Sequence, residues 1–145
     1  MGGARAPVLY FEDLSEGMSA ESRRTVTAGD IDAFAAVSGD TNPVHLDAAY
    51  AAATPFGERI AHGMLAASYI SAVLGVKLPG PGAVYLSQTL RFRRPVKIGD
   101  AVTARATISA LDAEKGRVTL DTVCQVNGKA VVDGEAVVML PRRGA

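Results

Sequence analysis

The chain has no tryptophan, one cysteine and two histidines. One cysteine cannot close an internal disulfide, so a disulfide-stapled fold is excluded and a reducing compartment fits. Two histidines and one cysteine are too few soft ligands for a structural zinc site, and no metal is expected. Neither sign of charge dominates: 15 Lys and Arg against 15 Asp and Glu give zero formal net charge. Without a basic surplus the chain is poorly suited to nucleic-acid phosphates. Long hydrophobic runs are also missing. The longest uncharged stretch, Ile60 to Val76, is interrupted by Ser, Tyr, His and Gly, whereas a membrane span needs about 20 mostly apolar residues. No membrane partner is expected. The opening MGGARAPVLYFED holds no apolar region of the secretory type, and the expected location is the cytoplasm. There is no G-x-x-x-x-G-K-[ST], G-x-G-x-x-G, C-x-x-C or G-x-S-x-G, so nucleotide-hydrolysing, dinucleotide-binding and serine-hydrolase chemistry have no motif support.

What is present describes a globular domain. The composition, 48% hydrophobic and 21% charged, is ordinary for one, and 145 residues suit a single domain with a core from about residue 10 to 140. Thr27 and Asp30 form a capping-box pair, after which Ile31, Phe34, Ala35 and Ser38 share one helical face. Ser38-Gly39 ends that helix. A polar loop, Asp40 to His45, comes next, then a short Ala-rich helix over residues 47–53. Ile60–Val76 reads as a helix apolar on nearly every side, and so enclosed by the protein.

Beyond Gly82 the hydrophobic period becomes two. Val84, Leu86, Gln88, Leu90 and Phe92 read as one core face; Val102, Ala104, Ala106 and Ile108 as a second; Val118, Leu120, Thr122, Cys124 and Val126 as a third. Asn127-Gly128 signals a hairpin, and a last strand spans about Ala130 to Leu140. Cys124 on a core face reads as a small buried hydrophobe. The expected architecture is α+β: an antiparallel meander after Gly82 that curves as one sheet around the central apolar helix, with an exposed sheet edge that a second copy could cover.

Two segments can carry chemistry. In Ser38-Gly39-Asp40-Thr41-Asn42-Pro43-Val44-His45, a carboxylate and an imidazole stand five residues apart in a segment stiffened by Pro43. Groups held in this way can share a water molecule and pass protons through it. The same residue types also make ordinary turns. In His62-Gly63-Met64, a helix start with a bare glycine can offer an N–H to a ligand carbonyl oxygen, and a glycine serving close packing satisfies the same pattern. His62 reads as a hydrogen-bonded structural histidine.

Taken together, SGDTNPVH, AHGM and YLSQTLRFRRPVKIGD resemble the MaoC-like family of (R)-specific enoyl-CoA hydratases and 3-hydroxyacyl dehydratases, over about Tyr10 to Leu140. The likeness is strongest to the short single-domain (R)-hydratases that feed polyhydroxyalkanoate synthesis. It implies a hot-dog fold, a homodimer, and reversible syn addition of water to a trans-2-enoyl-CoA giving the (R)-3-hydroxyacyl-CoA. Asp40 and His45 would be the catalytic pair. The Gly63 N–H would polarise the thioester carbonyl, Asn42 would order the loop and its water, Phe92 would lie near the acyl-CoA, and Ser71 would hydrogen-bond Asp40. CoA would enter as part of the substrate, with no bound cofactor. Ile70, Val73 and Leu74 are candidates for setting acyl length; Arg91, Arg93 and Arg94 could meet carrier phosphates, but a solvated strand face is the preferred explanation of that run. A 3-hydroxyacyl-acyl-carrier-protein dehydratase and a hot-dog acyl-CoA thioesterase are the rival activities; a non-catalytic acyl-CoA-binding protein and a plain interaction module are the rival non-enzymes.

Overall fold

A computed structural model describes residues 8–144. After a 3₁₀ turn at Phe11–Asp13, the elements run β1 (Ser19–Thr25), α1 (Ala28–Ser38), α2 (Pro43–Leu46), α3 (Ala48–Ala52), α4 (Gly63–Val76), β2 (Val84–Gln88), β3 (Arg91–Phe92), β4 (Ala101–Asp112), β5 (Arg117–Val126) and β6 (Lys129–Met139). The helix starts follow the capping logic. Asp30 N–H donates to Thr27 Oγ1 and Thr27 N–H to Asp30 Oδ2, both at 3.1 Å. Gly39 then closes α1 in the left-handed region at φ 80°, where only glycine sits without a Cβ penalty. Asn127 and Gly128, with φ of 52° and 77°, turn β5 into β6.

The sheet order is β1-β4-β5-β6-β2, with β3 also on β6, and every pairing is antiparallel. The α+β architecture is therefore the expected one. Val102, Ala104, Ala106 and Ile108 of β4, and Val118, Leu120, Thr122 and Cys124 of β5, are buried against α4 residues such as Ala66, Ile70 and Val73. The buried polar Thr122 receives the Gln88 amide at 2.9 Å. Cys124 directs its thiol to the Ala66 carbonyl at 3.3 Å, and burial pushes its pKa up to about 12, which makes it an inert core residue.

Five expectations need correction. β1 is a strand that periodicity does not disclose: SAESRRT half-buries only Ala20 and Ser22, because an edge strand gains its stability from the ladder to β4. The loop after Asp40 is in part helical, since the Asn42 side chain caps α2 and Pro43 occupies its first turn. α4 is one-sided. It buries Leu65, Ala66, Ala67, Ile70, Val73 and Leu74 but exposes Met64, Ser68, Ser71, Ala72 and Gly75. The strands after Gly82 do not form one sequential meander, because β2 and β3 pair with β6. Finally, Val84, Leu86 and Phe92 are 49%, 42% and 55% exposed. They lie on the sheet's terminal strands, where no further strand covers them among the described residues. β2 and β3 are separated by a kink at Thr89: its N–H bonds the Glu135 carbonyl and its Oγ1 receives the Glu135 N–H, both at 2.9 Å. Gly134 makes room for this approach, since a Cβ there would run into the Thr89 carbonyl oxygen.

Candidate active site

The segment from Ser38 to His45 is built from successive short hydrogen bonds. Asp40 N–H donates to Ser38 Oγ at 3.1 Å, Asn42 N–H to Asp40 Oδ1 at 3.2 Å and Val44 N–H to Asn42 Oδ1 at 3.1 Å. Each side chain accepts from the backbone two residues on, which is how Ser, Asp and Asn set a turn. This chain of bonds delivers His45 at the end of α2, facing the strand-like segment around Ile60.

There His45 Nδ1 meets the Ile60 carbonyl oxygen at 2.8 Å. A carbonyl only accepts, so Nδ1 carries the proton and Nε2 keeps the lone pair. Nε2 lies 4.0 Å from Asp40 Oδ2. That gap is too long for a direct hydrogen bond and suits two groups holding one small molecule between them. The two differ in shelter: the His45 side chain is 12% exposed and that of Asp40 52%. Arg59, which sequence reasoning missed, braces the segment. It donates Nε–H to the His45 carbonyl at 2.5 Å and pairs with Asp32 at 2.8 Å. Its only sequence signal is a cation next to Ile60 and His62.

Gly63 opens α4, and the preceding His62 provides no side-chain cap. Among the described residues, no protein acceptor meets the Gly63 N–H, which leaves it free beside His45. The Phe92 ring packs over this glycine. A Cβ on Gly63 would sit 2.6 Å from Phe92 Cδ1, so the glycine serves close packing at a helix start that has no side-chain cap. A cavity of about 480 Å³ gathers His45, His62, Gly63, Met64 and Phe92 with Arg93 and Arg94. Asp40 is not part of its wall and meets the site through His45.

Three predicted placements fail. Ser71 makes no hydrogen bond to Asp40 among the described residues; it lines a second cavity of about 500 Å³ with Phe34, Met64, Tyr85, Gln88 and Leu90. The fold turns the Ser71 position of α4 towards β2, away from the loop. Ile70, Val73 and Leu74 are 1%, 1% and 2% exposed and line neither cavity. Arg91 is likewise absent from the cavity wall, whereas Arg93 and Arg94 line it. Arg93 is held by Asp133 at 2.5 Å and Arg94 by the Ala130 carbonyl at 2.7 Å.

Asp40, His45 and His62 can each offer one ligand atom within 4.8 Å of the others. This arrangement suits proton transfer better than a cation. His62 Nε2 is directed at the Asp40 carbonyl at 2.9 Å, and the two imidazoles stack at 3.9 Å, so their in-plane lone pairs do not converge.

The family model described as "MaoC like domain" matches residues 12–137. An (R)-specific enoyl-CoA hydratase of Rhodospirillum rubrum is 56% identical over 135 residues, covering 93% of this chain and 94% of that one. The structure of an unliganded R-hydratase from Pseudomonas aeruginosa superposes with a TM-score of 0.88 at 50% identity, covering 92% of this chain and 86% of that one. An (R)-hydratase from A. caviae involved in PHA biosynthesis gives 0.88 at 46% identity, covering 90% and 99%. With its D-x-N-P-x-H turn, its open helix start and its hot-dog sheet, the chain belongs to the MaoC-like family.

Proposed function

We propose that this protein is an (R)-specific enoyl-CoA hydratase, adding water reversibly across trans-2-enoyl-CoA to give the (R)-3-hydroxyacyl-CoA. The observation that carries the reading is the placing of His45, with Nδ1 on the Ile60 carbonyl and Nε2 4.0 Å from the Asp40 carboxylate, in the wall of the cavity that Gly63 also lines.

An enoyl thioester is electrophilic at Cβ only when its carbonyl is polarised. The Gly63 N–H, at the positive end of α4, supplies that polarisation. Water held between Asp40 and His45 gives one proton to Nε2 as its oxygen bonds to Cβ, while its other O–H stays intact and donates a hydrogen bond to the Asp40 carboxylate. The π electrons move to Cα and the carbonyl oxygen, and the imidazolium then returns the proton to Cα. Water supplies both the hydroxyl and the hydrogen, and both arrive from one face, so addition is syn. Asn42 supports this by holding the turn between the two groups. Phe92 bounds the cavity where the acyl thioester would lie.

Arg93 and Arg94 at the cavity favour a phosphate-bearing carrier. CoA and an acyl carrier protein both present one, and paired assays on the two thioesters separate them. No bound cofactor enters this chemistry. The exposed apolar residues on β2, β3 and the open face of α4 support a homodimer in which a second copy covers them.

The test is loss of enoyl absorbance from crotonyl-CoA, with free thiol and (R)-3-hydroxyacyl product assayed together. Absorbance loss giving (R)-product without thiol, abolished by Asp40→Asn, is the expected result. Thiol release would replace the reading with a thioesterase. Turnover of only the carrier-protein thioester would replace it with the dehydratase of fatty-acid synthesis.

A further inference from the structure

His62 is 3% exposed and lies one residue before Gly63. Its Nε2 meets the Asp40 carbonyl oxygen at 2.9 Å. Because that oxygen can only accept, Nε2 carries the proton and Nδ1 carries a lone pair. Nδ1 is buried and has no partner among the described residues. The ring stacks on His45, with centroids 3.9 Å apart and planes at 28°, and also touches Phe34 at 4.9 Å.

An unpaired buried nitrogen is costly. If this ring only filled space, an aromatic hydrocarbon would do so without leaving a polar atom unsatisfied. The imidazole makes sense where its one N–H is used, and the group using it is the main chain of Asp40. We infer that His62 is a positioning residue for the water-activating pair. It fixes the Asp40 backbone through its Nε2–H and the plane of the His45 ring through stacking, while its place immediately before Gly63, at the start of α4, ties both to the Gly63 N–H. This inference rests on the reading of Asp40 and His45 as the reacting pair. His62 itself touches no reacting atom.

Two variants separate its contributions. His62→Phe keeps an aromatic face for His45 and loses the donor. His62→Gln loses the ring and keeps an N–H at similar reach. Displacing a catalytic group by about an ångström costs on the order of 10²-fold in rate. We therefore expect His62→Phe to lower kcat on crotonyl-CoA by roughly that factor, with KM within about threefold, and His62→Gln to recover about tenfold of the loss. Nitrogen-15 spectra of the unmodified protein should show His62 protonated at Nε2 and bare at Nδ1, with the reverse at His45. A His62→Phe protein whose kcat matches the unmodified one, or a bare His62 Nε2, would each overturn the inference. If either variant does not fold, the spectra of the unmodified protein decide. If the unmodified protein hydrates no thioester, the functional reading fails first, and a bare Nε2 would then remove the hydrogen bond as well.

Discussion

The imidazole of His45 is visible in the sequence, but its usable nitrogen is assigned by Ile60, whose carbonyl takes the Nδ1 proton. Asp40 stands differently. Its Oδ1 already accepts the Asn42 N–H at 3.2 Å, while Oδ2 is the oxygen facing His45. Asparagine can keep that Oδ1 acceptor and still lose the charge. Asp40→Asn should therefore melt at the unmodified temperature while kcat falls by about 10²–10⁴-fold, the usual contribution of an acid–base partner. A collapsed melt in calorimetry would instead make Asp40 a structural residue. Gly63 packs against Phe92, and the proposed mechanism gives it a second role that a pair of variants tests. Gly63→Ala pushes a methyl group into Phe92, with the Cβ 2.6 Å from the ring, and should lower both the melting temperature and kcat/KM. Adding Phe92→Ala should restore the melt but, under the proposed mechanism, not the activity, because the methyl stays beside the N–H proposed to bind the thioester oxygen. Full recovery of activity would leave Gly63 as a packing glycine alone.

At the level of elements, α1 is held at its start by the Thr27–Asp30 box, and Arg24 pairs with Asp30 at 2.6 Å. The Arg24 hydrogen bond, followed by the Thr27 N–H, holds the Asp30 carboxyl below its ordinary value of 3.8. A lowered carboxylate adds stability above its unfolded value and loses it as the pH falls through its folded value. Thr27→Ala should cost about 1 kcal/mol. The deficit of Asp30→Asn in urea melts should be complete at neutral pH and should close as the pH drops below 3.8; a deficit independent of pH would remove the charge from the account. The start of α4 offers a second element-scale test. Met64 lines both the cavity that holds His45 and Gly63 and the one that holds Ser71. Met64→Ala should shift preference towards longer enoyl chains, read as kcat/KM across an acyl series. An unchanged profile would place the acyl path elsewhere.

For the whole molecule, the unusual feature is where apolar surface remains. Val84, Tyr85 and Leu86 of β2, with Phe92 and Met64, are all exposed, and β2 has a partner, β6, on one side only. An edge strand with exposed hydrophobics is a site of further pairing. If the proposed homodimer forms through β2, Leu86→Asp should convert it to a monomer in light scattering, because a charge would stand in the contact. A dimer of unchanged stability would move the interface away from β2. Among the described residues no helix is long and apolar enough to cross a membrane.

Much of this molecule is local in origin and was legible as sequence. The Thr27 cap, the Gly39 stop, the Asn127-Gly128 turn and the alternation of β4 and β5 depend on neighbours a few residues away, and so appear in the order of residues. The D-x-N-P-x-H turn is of the same kind, because Ser38, Asp40 and Asn42 each bond a backbone group two residues on. What lies across the fold was decided by tertiary structure alone. Strand β1 exists because β4 offers it a ladder, and its own residues show little periodicity. Alternation in β2 reads the same whether its apolar face meets a helix or stands at an edge, so Val84 and Leu86 looked like core. Ser71 fell on the far side of α4 because helix rotation is set by what packs beneath it. The proton on His45 was decided by a carbonyl 15 residues away in the chain, and a hydrogen bond across that distance leaves no mark in local pattern.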